Sequence, residues 1–161
     1  FFCLCVFTTE SARAHKLDWS ANAEALLKKG NQRLYFLRRL RSFGVGPRLL
    51  ELFYRATVES VLTFNSLCFY NSMKEQEKDR LSKITKTAGK LIGQHVTDLQ
   101  TLFDAKAVKR LGTILGDPTH PLCDVLLAQT SSRSGRLISF KSRTNRFLQS
   151  FLPTAVRLHN S

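Results

Sequence analysis

The stretch KKGNQRLYFLRRLRSFG, Lys28 to Gly44, combines basic, leucine and aromatic residues at helical spacing. Its leucines continue a face that starts just before it, which predicts the buried side of a helix: Leu26, Leu27, Leu34 and Leu37. Between Lys28 and Arg41 there are also six Lys and Arg in fourteen residues. A helix that only closed a core would not need so many cations, so we expect this helix to contact a partner as well.

The composition indicates one domain-sized chain with a polyanionic partner. The chain has 161 residues, of which 43% are hydrophobic, enough for a real core. Lys and Arg number 25 against 12 Asp and Glu, a formal net charge of +13. Nucleic acid is the first candidate partner and an acidic membrane surface the second, while a basic domain with a merely solvated surface is the plainer alternative.

The cysteines, Cys3, Cys5, Cys68 and Cys123, are too few and too scattered for a secreted disulfide framework, so a reducing, intracellular compartment is expected. The opening FFCLCVF is too short to span a bilayer and lacks the basic start of a signal peptide. The cluster RRLR permits nuclear import but is part of a predicted helix, so localisation within the cell stays open, with the nucleus as a guess. Met73 as the only Met suggests a fragment or an unusual gene product.

Three helices are predicted in the first half of the chain. The first runs from about 20 to 43, capped by Asp18 or Ser20. The second runs from about 47 to 70, with Pro47 at its first position and a charged strip that includes the pair Glu51 and Arg55; we expect it to be the central buried helix. The third, in KEQEKDRLSKITKTAGKLIG, ends at Gly93.

The third helix is predicted to be basic and amphipathic. Its apolar stripe comprises Leu81, Ile84, Ala88 and Leu91. The opposite side carries Arg80, Lys83, Lys86 and Lys90. A helix that packs one face on a core explains the stripe, but not why so few acids follow Asp79 on the other side.

The second half is predicted to hold shorter helices and loops. Asp98 can cap a helix that breaks near Asp104, and GDPTHP forces a turn. A short helix can follow from Pro121 to about residue 128, and terminal helices are expected to be interrupted at Pro153. The fold class is therefore mainly α, a small bundle of five to seven helices: residues 1–16 unassigned, 17–93 a three-helix bundle, and 94–161 a helical connection with a basic end.

No catalytic constellation is recognisable. The acids are scattered, no two Asp are adjacent, and there is no Gly-rich phosphate loop or iron triad. His120 and Cys123 have ligand-like spacing, but a zinc site would need Cys68 or His95 as well, and a turn His with a buried Cys is the simpler interpretation. Cys3 and Cys5 lack a second cysteine pair. We therefore expect no metal, no cofactor, no small-molecule substrate and no enzymatic activity.

The positive signal is a set of basic and aromatic residues suited to a nucleic-acid backbone. For Tyr35, Phe36 and Phe43 taken singly, core packing is the expected role. For the cations as a group, phosphate binding is expected. The candidates are Lys28, Lys29, Arg33, Arg38, Arg39, Arg41, Arg80, Lys83, Lys86, Lys90, Arg143 and Arg146. RNA, DNA and a hybrid all remain possible partners, no membrane partner is expected, and the oligomeric state is open.

Four blocks, in order, resemble the segment downstream of the polymerase palm in LINE-type (non-LTR) retrotransposon reverse transcriptases. They are LDWSANAEALLKKGNQRLYFLRRLRSFGVGPRLLELFYRATVESVL, DRLSKITKTAGKLIG, DPTHPL and SGRLISFKSRTNRFLQSFLPTAVRLHNS, covering about residues 17–161. Stretches similar to the first block are also collected as the N-terminal domain of alkylated DNA repair protein AlkB homologue 8. That protein's other domains perform iron and 2-oxoglutarate oxidation and methyl transfer on transfer RNA.

The first resemblance implies a helical thumb that grips template and primer by their backbones, followed by a connection. The second implies an accessory domain of a nucleic-acid-modifying enzyme. Neither carries over a catalytic residue, because the Asp pair, the iron triad and the methyltransferase loop are all missing from this chain. The expected function is non-catalytic nucleic-acid binding; the alternatives are the accessory domain, and an interaction module or decayed gene product.

Overall fold

The computed structural model describes residues 19–64, 66–141 and 143–161. About 72% of the described residues are helical and none of them forms a β-strand, so the predicted mainly α class is confirmed. The chain divides into two compact units, the first ending at Leu99 and the second running from Gln100 to Ser161. The boundary predicted at residue 94 stays a prediction, and the predicted span 1–16 lies outside the described residues.

Helix α1 is Ser20–Ser42, close to the predicted span. The predicted leucine face is confirmed, because Leu26, Leu27, Leu34 and Leu37 are all buried. At the end of α1 the Val45 N–H donates to Leu40 O and the Gly44 N–H to Arg41 O, with Gly44 at φ 77°. This pairing satisfies the last carbonyls and needs a left-handed residue, which glycine provides. The predicted cap is wrong for Ser20, which is the first helical residue after Trp19; Asp18 lies outside the described residues.

The second helix begins at Pro47 as predicted but is neither regular nor fully buried. It comprises α2 (Pro47–Phe53), a π-helical segment (Tyr54–Glu59) and α3 (Ser60–Thr63). It ends at Thr63 rather than at residue 70, because Phe64 is extended (ψ 125°). Two short helices follow, α4 (Ser66–Phe69) and a 3-10 turn (Tyr70–Ser72).

Three hydroxyl side chains explain the irregular middle of this helix. Thr57 Oγ1 donates to Phe53 O (2.7 Å), Ser60 Oγ to Ala56 O (2.6 Å) and Thr63 Oγ1 to Glu59 O (2.8 Å). Hydroxyls that donate to the carbonyl four residues earlier compete with the backbone ladder and bend helices. The same helix also exposes Leu49 and Leu52, so the prediction of a central buried helix is wrong.

Helix α5 is Glu75–Ile92 and confirms the third predicted helix, with Gly93 left-handed at φ 80° behind it. The Lys74 N–H donates to the Glu77 carboxylate (3.2 Å), which ties down the first turn. Leu81, Ile84 and Ala88 are buried as predicted, but Ile92 is buried where Leu91 was expected. The apolar stripe therefore shifts by one residue in the last turn.

Helices α1 and α5 run parallel. Lys74 Nζ donates to Ser20 Oγ (3.3 Å) at their N-terminal ends, and Arg41 Nη1 donates to Lys90 O (2.9 Å) at their C-terminal ends. Gly30 lies against both α5 and α3: a Cβ there would stand 2.8 Å from Ile84 Cδ1 and 3.4 Å from Leu62 Cδ2. The missing side chain allows α1 to lie close to both other helices.

The second unit contains α6, apart from its first residue Leu99, and α7 to α9. Helix α6 (Leu99–Leu115) passes Asp104 without the predicted break, and the predicted turn follows at residues 116–122. Helix α7 is Cys123–Ala128, α8 is Asn145–Leu148 and α9 is Phe151–Asn160. Pro153 was expected to interrupt a helix, but it lies in the first turn of α9, where its missing N–H has no helical partner to lose.

The end of α9 is tied to a short loop in the same unit. Asn160 Nδ2 donates to Leu137 O (2.7 Å), and Leu137 pairs with Thr130 in an isolated antiparallel bridge. Among the described residues, no helix is long and apolar enough to cross a membrane.

Candidate nucleic-acid interface

The solvent side of α1 carries a row of exposed aromatic and polar side chains. We call it the outer face of α1; it comprises Lys28, Lys29, Gln32, Tyr35, Phe36, Arg39 and Phe43. Tyr35 is 57% exposed, Phe36 56% and Phe43 72%. The prediction that these aromatic residues would pack in the core is therefore wrong. The buried leucines occupy the other side of the helix, so these rings remain in solvent.

The outer face belongs to a stretch of the chain whose charged residues are all basic. Residues 25–50 contain seven Lys and Arg and no Asp or Glu. Arg39 lies over the Phe43 ring, with 5.2 Å from the guanidinium carbon to the ring centroid. Tyr35 and Phe36 form an edge-to-face pair at 5.8 Å. Cations and open aromatic faces are thus interleaved along one side of the helix, the combination that phosphates and stacked bases both accept.

The predicted cations of α1 differ in what they contact. Lys28, Lys29, Arg38 and Arg39 are exposed. Arg33 is only partly exposed and donates through Nη1 to Thr57 O (2.9 Å), so it joins α1 to the π-helical segment. Arg41 is bonded to Lys90 O as described above. Two of the six cations therefore also hold the helices together.

The cations of α5 form a second exposed set. Arg80, Lys83, Lys86 and Lys90 all face solvent, opposite the buried stripe, as the helical spacing predicted. The contact of Arg41 with the Lys90 carbonyl brings the C-terminal ends of the α1 and α5 sets together. In the second unit, Arg143 and Arg146 are exposed as well, Arg146 in the last turn of α8.

A groove between α1 and the second helix was missed by the sequence analysis. It has a volume of about 450 Å³ and is lined by Gln32, Arg33, Phe36, Leu40, Phe53 and Thr57. Phe36 with Leu40, and Phe53 with Thr57, are i, i+4 pairs on two different helices. The spacing of each pair could be read from the sequence, but their meeting required the packing of the two helices.

A small polar cavity lies elsewhere in the first unit, next to the π-helical segment. It measures about 40 Å³ and is lined mainly by polar side chains, including Glu51, Tyr54, Arg55, Glu59 and His95. The Tyr54 hydroxyl is buried without a hydrogen-bond partner. Burial, and then the Glu59 carboxylate, raise the pKa of Tyr54. The predicted Glu51 and Arg55 pair is confirmed, with Arg55 Nη2 2.7 Å from Glu51 Oε1.

The candidate zinc ligands have other roles. The Leu122 N–H donates to His120 Nδ1 (3.1 Å), and Cys123 is buried, which matches a turn His and a core Cys. Across the described residues, no cluster of three or more His, Cys, Asp or Glu could hold a metal ion. Cys3 and Cys5 lie outside the described residues. In the same turn, the Thr119 hydroxyl donates to Asp117 (2.6 Å) and lowers the pKa of that carboxyl.

One comparison with known proteins gives a match. The family described as "Alkylated DNA repair protein alkB homolog 8, N-terminal" matches residues 19–60. The matched segment contains α1, α2 and the π-helical segment, and therefore both the outer face of α1 and the groove. No curated protein and no solved structure gives a significant match.

Proposed function

We propose that this chain is a non-catalytic nucleic-acid-binding module that acts as an accessory domain of a nucleic-acid-modifying enzyme. The observation that carries the proposal is the outer face of α1, where exposed aromatic rings and cations lie in a stretch with seven Lys and Arg and no acid. The match of residues 19–60 to the alkB homolog 8 N-terminal family supports the accessory role, because it covers this same face.

The binding is mainly electrostatic and independent of sequence. Lys28, Lys29, Arg38 and Arg39 are exposed and can reach phosphates, with the α5 cations as a second contact surface. Each phosphate neutralised releases counterions, so log K falls with log salt by about 0.9 per contact on duplex DNA and about 0.7 on single strands. Arg33 and Arg41 contribute less, since each donates to a backbone carbonyl of the protein.

The test is a fluorescence-anisotropy titration of the full chain against single-stranded DNA, duplex DNA, RNA and an RNA–DNA hybrid at two salt concentrations. The double variant Arg38→Glu and Arg39→Glu is expected to weaken binding at least tenfold at low salt and to reduce the salt slope by about 1 to 2. The matched control is Lys109→Glu with Arg110→Glu, which makes the same charge change at two exposed positions of α6.

Equal losses in the two double variants would mean that net charge, rather than the position of the exposed cations on α1, governs binding. Absence of binding at low salt would contradict the proposal and favour a protein-interaction module or a decayed gene product.

A second candidate is a module descended from a LINE-type reverse transcriptase, gripping template and primer as a thumb. The order of the four sequence blocks favours it, since these blocks extend over about residues 17–161, well beyond the segment matched by the alkB homolog 8 family. The same titration separates the two candidates. Tightest binding to the RNA–DNA hybrid is expected for a thumb, whereas an accessory module has no reason to prefer a hybrid.

A further inference from the structure

The groove between α1 and the second helix differs chemically from the surface around it. Its walls include the rings of Phe36 and Phe53 and the side chain of Leu40, while Gln32, Arg33 and Thr57 supply polar groups at intervals. A volume of about 450 Å³ with mostly apolar walls and a few polar groups lies in the range of small-molecule sites. A surface that only gripped phosphates would not need such a recess.

The surroundings of the groove determine which ligand fits. The outer face of α1 adjoins it, so Arg39 and Phe43 follow Phe36 at the next turns of the helix. Phe43 lies about 10 Å beyond Phe36 along the helix axis, at 1.5 Å per residue. With no acid between residues 25 and 50, the rim attracts a polyanion. A planar apolar group attached to a phosphate chain satisfies both the walls and the rim, and a nucleobase is such a group.

The polar groups of the groove also suit a base. The Gln32 amide offers both a donor and an acceptor, the combination that pairs with base edges. Arg33 is held at the groove by its bond to Thr57 O (2.9 Å), which limits the entropy lost when a ligand packs against it. Phe36 is 56% exposed and so presents an open ring for stacking.

We propose that this groove binds an unpaired nucleobase by stacking on Phe36 and Phe53, which makes the protein selective for single-stranded segments. The proposal rests on the proposed function, which brings the phosphate backbone to the rim. In a duplex each base is stacked on its neighbours and its faces are covered, so only an unpaired base can enter. The aromatic walls are tolerant of base identity because every base has a π-face.

The test compares three probes by fluorescence anisotropy with the full chain: an oligodeoxythymidine, an abasic oligonucleotide of the same length and backbone charge, and a duplex. The oligodeoxythymidine is expected to bind about tenfold or more tightly than the abasic strand, given the usual strength of stacking on an aromatic side chain. Phe36→Leu keeps an apolar side chain and is expected to abolish most of that difference, because it weakens binding of the oligodeoxythymidine more than binding of the abasic strand.

The matched control is Phe64→Leu, which changes a ring that is 68% exposed and does not line the groove. Equal, salt-dependent affinity for the two single strands would overturn the groove proposal and leave the proposed function standing. A loss of affinity in Phe36→Leu that is equal for the oligodeoxythymidine and the abasic strand would also overturn the groove proposal. The ring would then contact the nucleic-acid backbone rather than a base. Absence of binding to every probe would overturn both.

Discussion

At the scale of single residues, Tyr54 combines a buried phenol with an unpaired hydroxyl beside a polar cavity. Its side chain is 1% exposed, and burial followed by the Glu59 carboxylate raises its pKa. A phenol with a raised pKa in the folded state stays protonated after the unfolded state has begun to release its proton. Its contribution to stability is therefore present below about pH 10 and is lost as the pH rises further.

Replacement of Tyr54 by Phe is expected to remove this alkaline loss of stability. Urea unfolding near pH 8 and near pH 11 should give a smaller fall in the free energy of unfolding for Tyr54→Phe than for the unmodified chain, by at least about 1 kcal/mol. Tyr35→Phe, at an exposed phenol, is the control for the loss of a hydroxyl. Equal falls in the unmodified chain and Tyr54→Phe would show that Tyr54 ionises without unfolding.

At the scale of the elements, the approach of α1 to α5 depends on the absence of a side chain at Gly30. A Cβ there would stand 2.8 Å from Ile84 Cδ1, closer than atoms in contact tolerate. The clash falls on the end of an isoleucine side chain, so the helices can adapt in part, but the buried surroundings limit the movement. Gly112, in the last turn of α6, has no neighbouring atom within 4 Å of the corresponding Cβ.

These two glycines form a matched pair for alanine substitution. Gly112→Ala is expected to raise the free energy of unfolding by about 0.5 to 1 kcal/mol, because alanine is the better helix former. Gly30→Ala gains the same helix propensity, but its new Cβ overpacks the contact with Ile84. It should therefore be less stable than Gly112→Ala by about 1 to 3 kcal/mol. Chemical denaturation of both variants measures the difference; equal stability would mean that the α1–α5 contact is loose.

Also at this scale, the hydroxyl bonds of Thr57, Ser60 and Thr63 explain why the second helix loses its regular ladder. The π-helical geometry begins at Tyr54 and continues through Glu59. In this geometry the Thr57 carbonyl accepts a hydrogen bond from the Arg33 guanidinium (2.9 Å). Local side-chain chemistry on one helix is thus connected to the groove that it forms with α1.

At the scale of the whole molecule, a net charge of +13 on 161 residues means that the folded chain repels itself. Among the described residues, ion pairs join Arg55 with Glu51 and Lys78 with Glu75. Most of the cations are exposed, so salt screens their mutual repulsion.

The free energy of unfolding is therefore expected to increase, by on the order of 1 kcal/mol, when ionic strength rises from about 0.01 M to about 0.15 M. Urea titrations at the two ionic strengths measure the change. The variant Lys109→Glu with Arg110→Glu has a lower net charge, so its free energy of unfolding should increase less with ionic strength. A decrease in stability with salt would indicate that attractive pairs outweigh the repulsion.

The sequence by itself determined where several helices begin or end. Pro47 starts a helix, and Gly44 and Gly93 follow the ends of two others, because these positions depend on backbone preferences of one or two residues. The Glu51–Arg55 pair and the turn after α6 were predictable for the same reason, since their partners are close in sequence. The fold class and the exposed cations of α1 and α5 followed from helical periodicity.

Only the tertiary structure decided which apolar side chains outside the predicted buried stripes are covered. Phe43 and Leu52 are exposed although each has the side chain of a core residue, and the described part of the chain does not cover them. The groove required Phe36 and Phe53 to meet across two helices, and Arg33 acquired a role in packing only when Thr57 came within reach. Burial is set by partners distant in the sequence, and no local pattern encodes which of two apolar faces will find one.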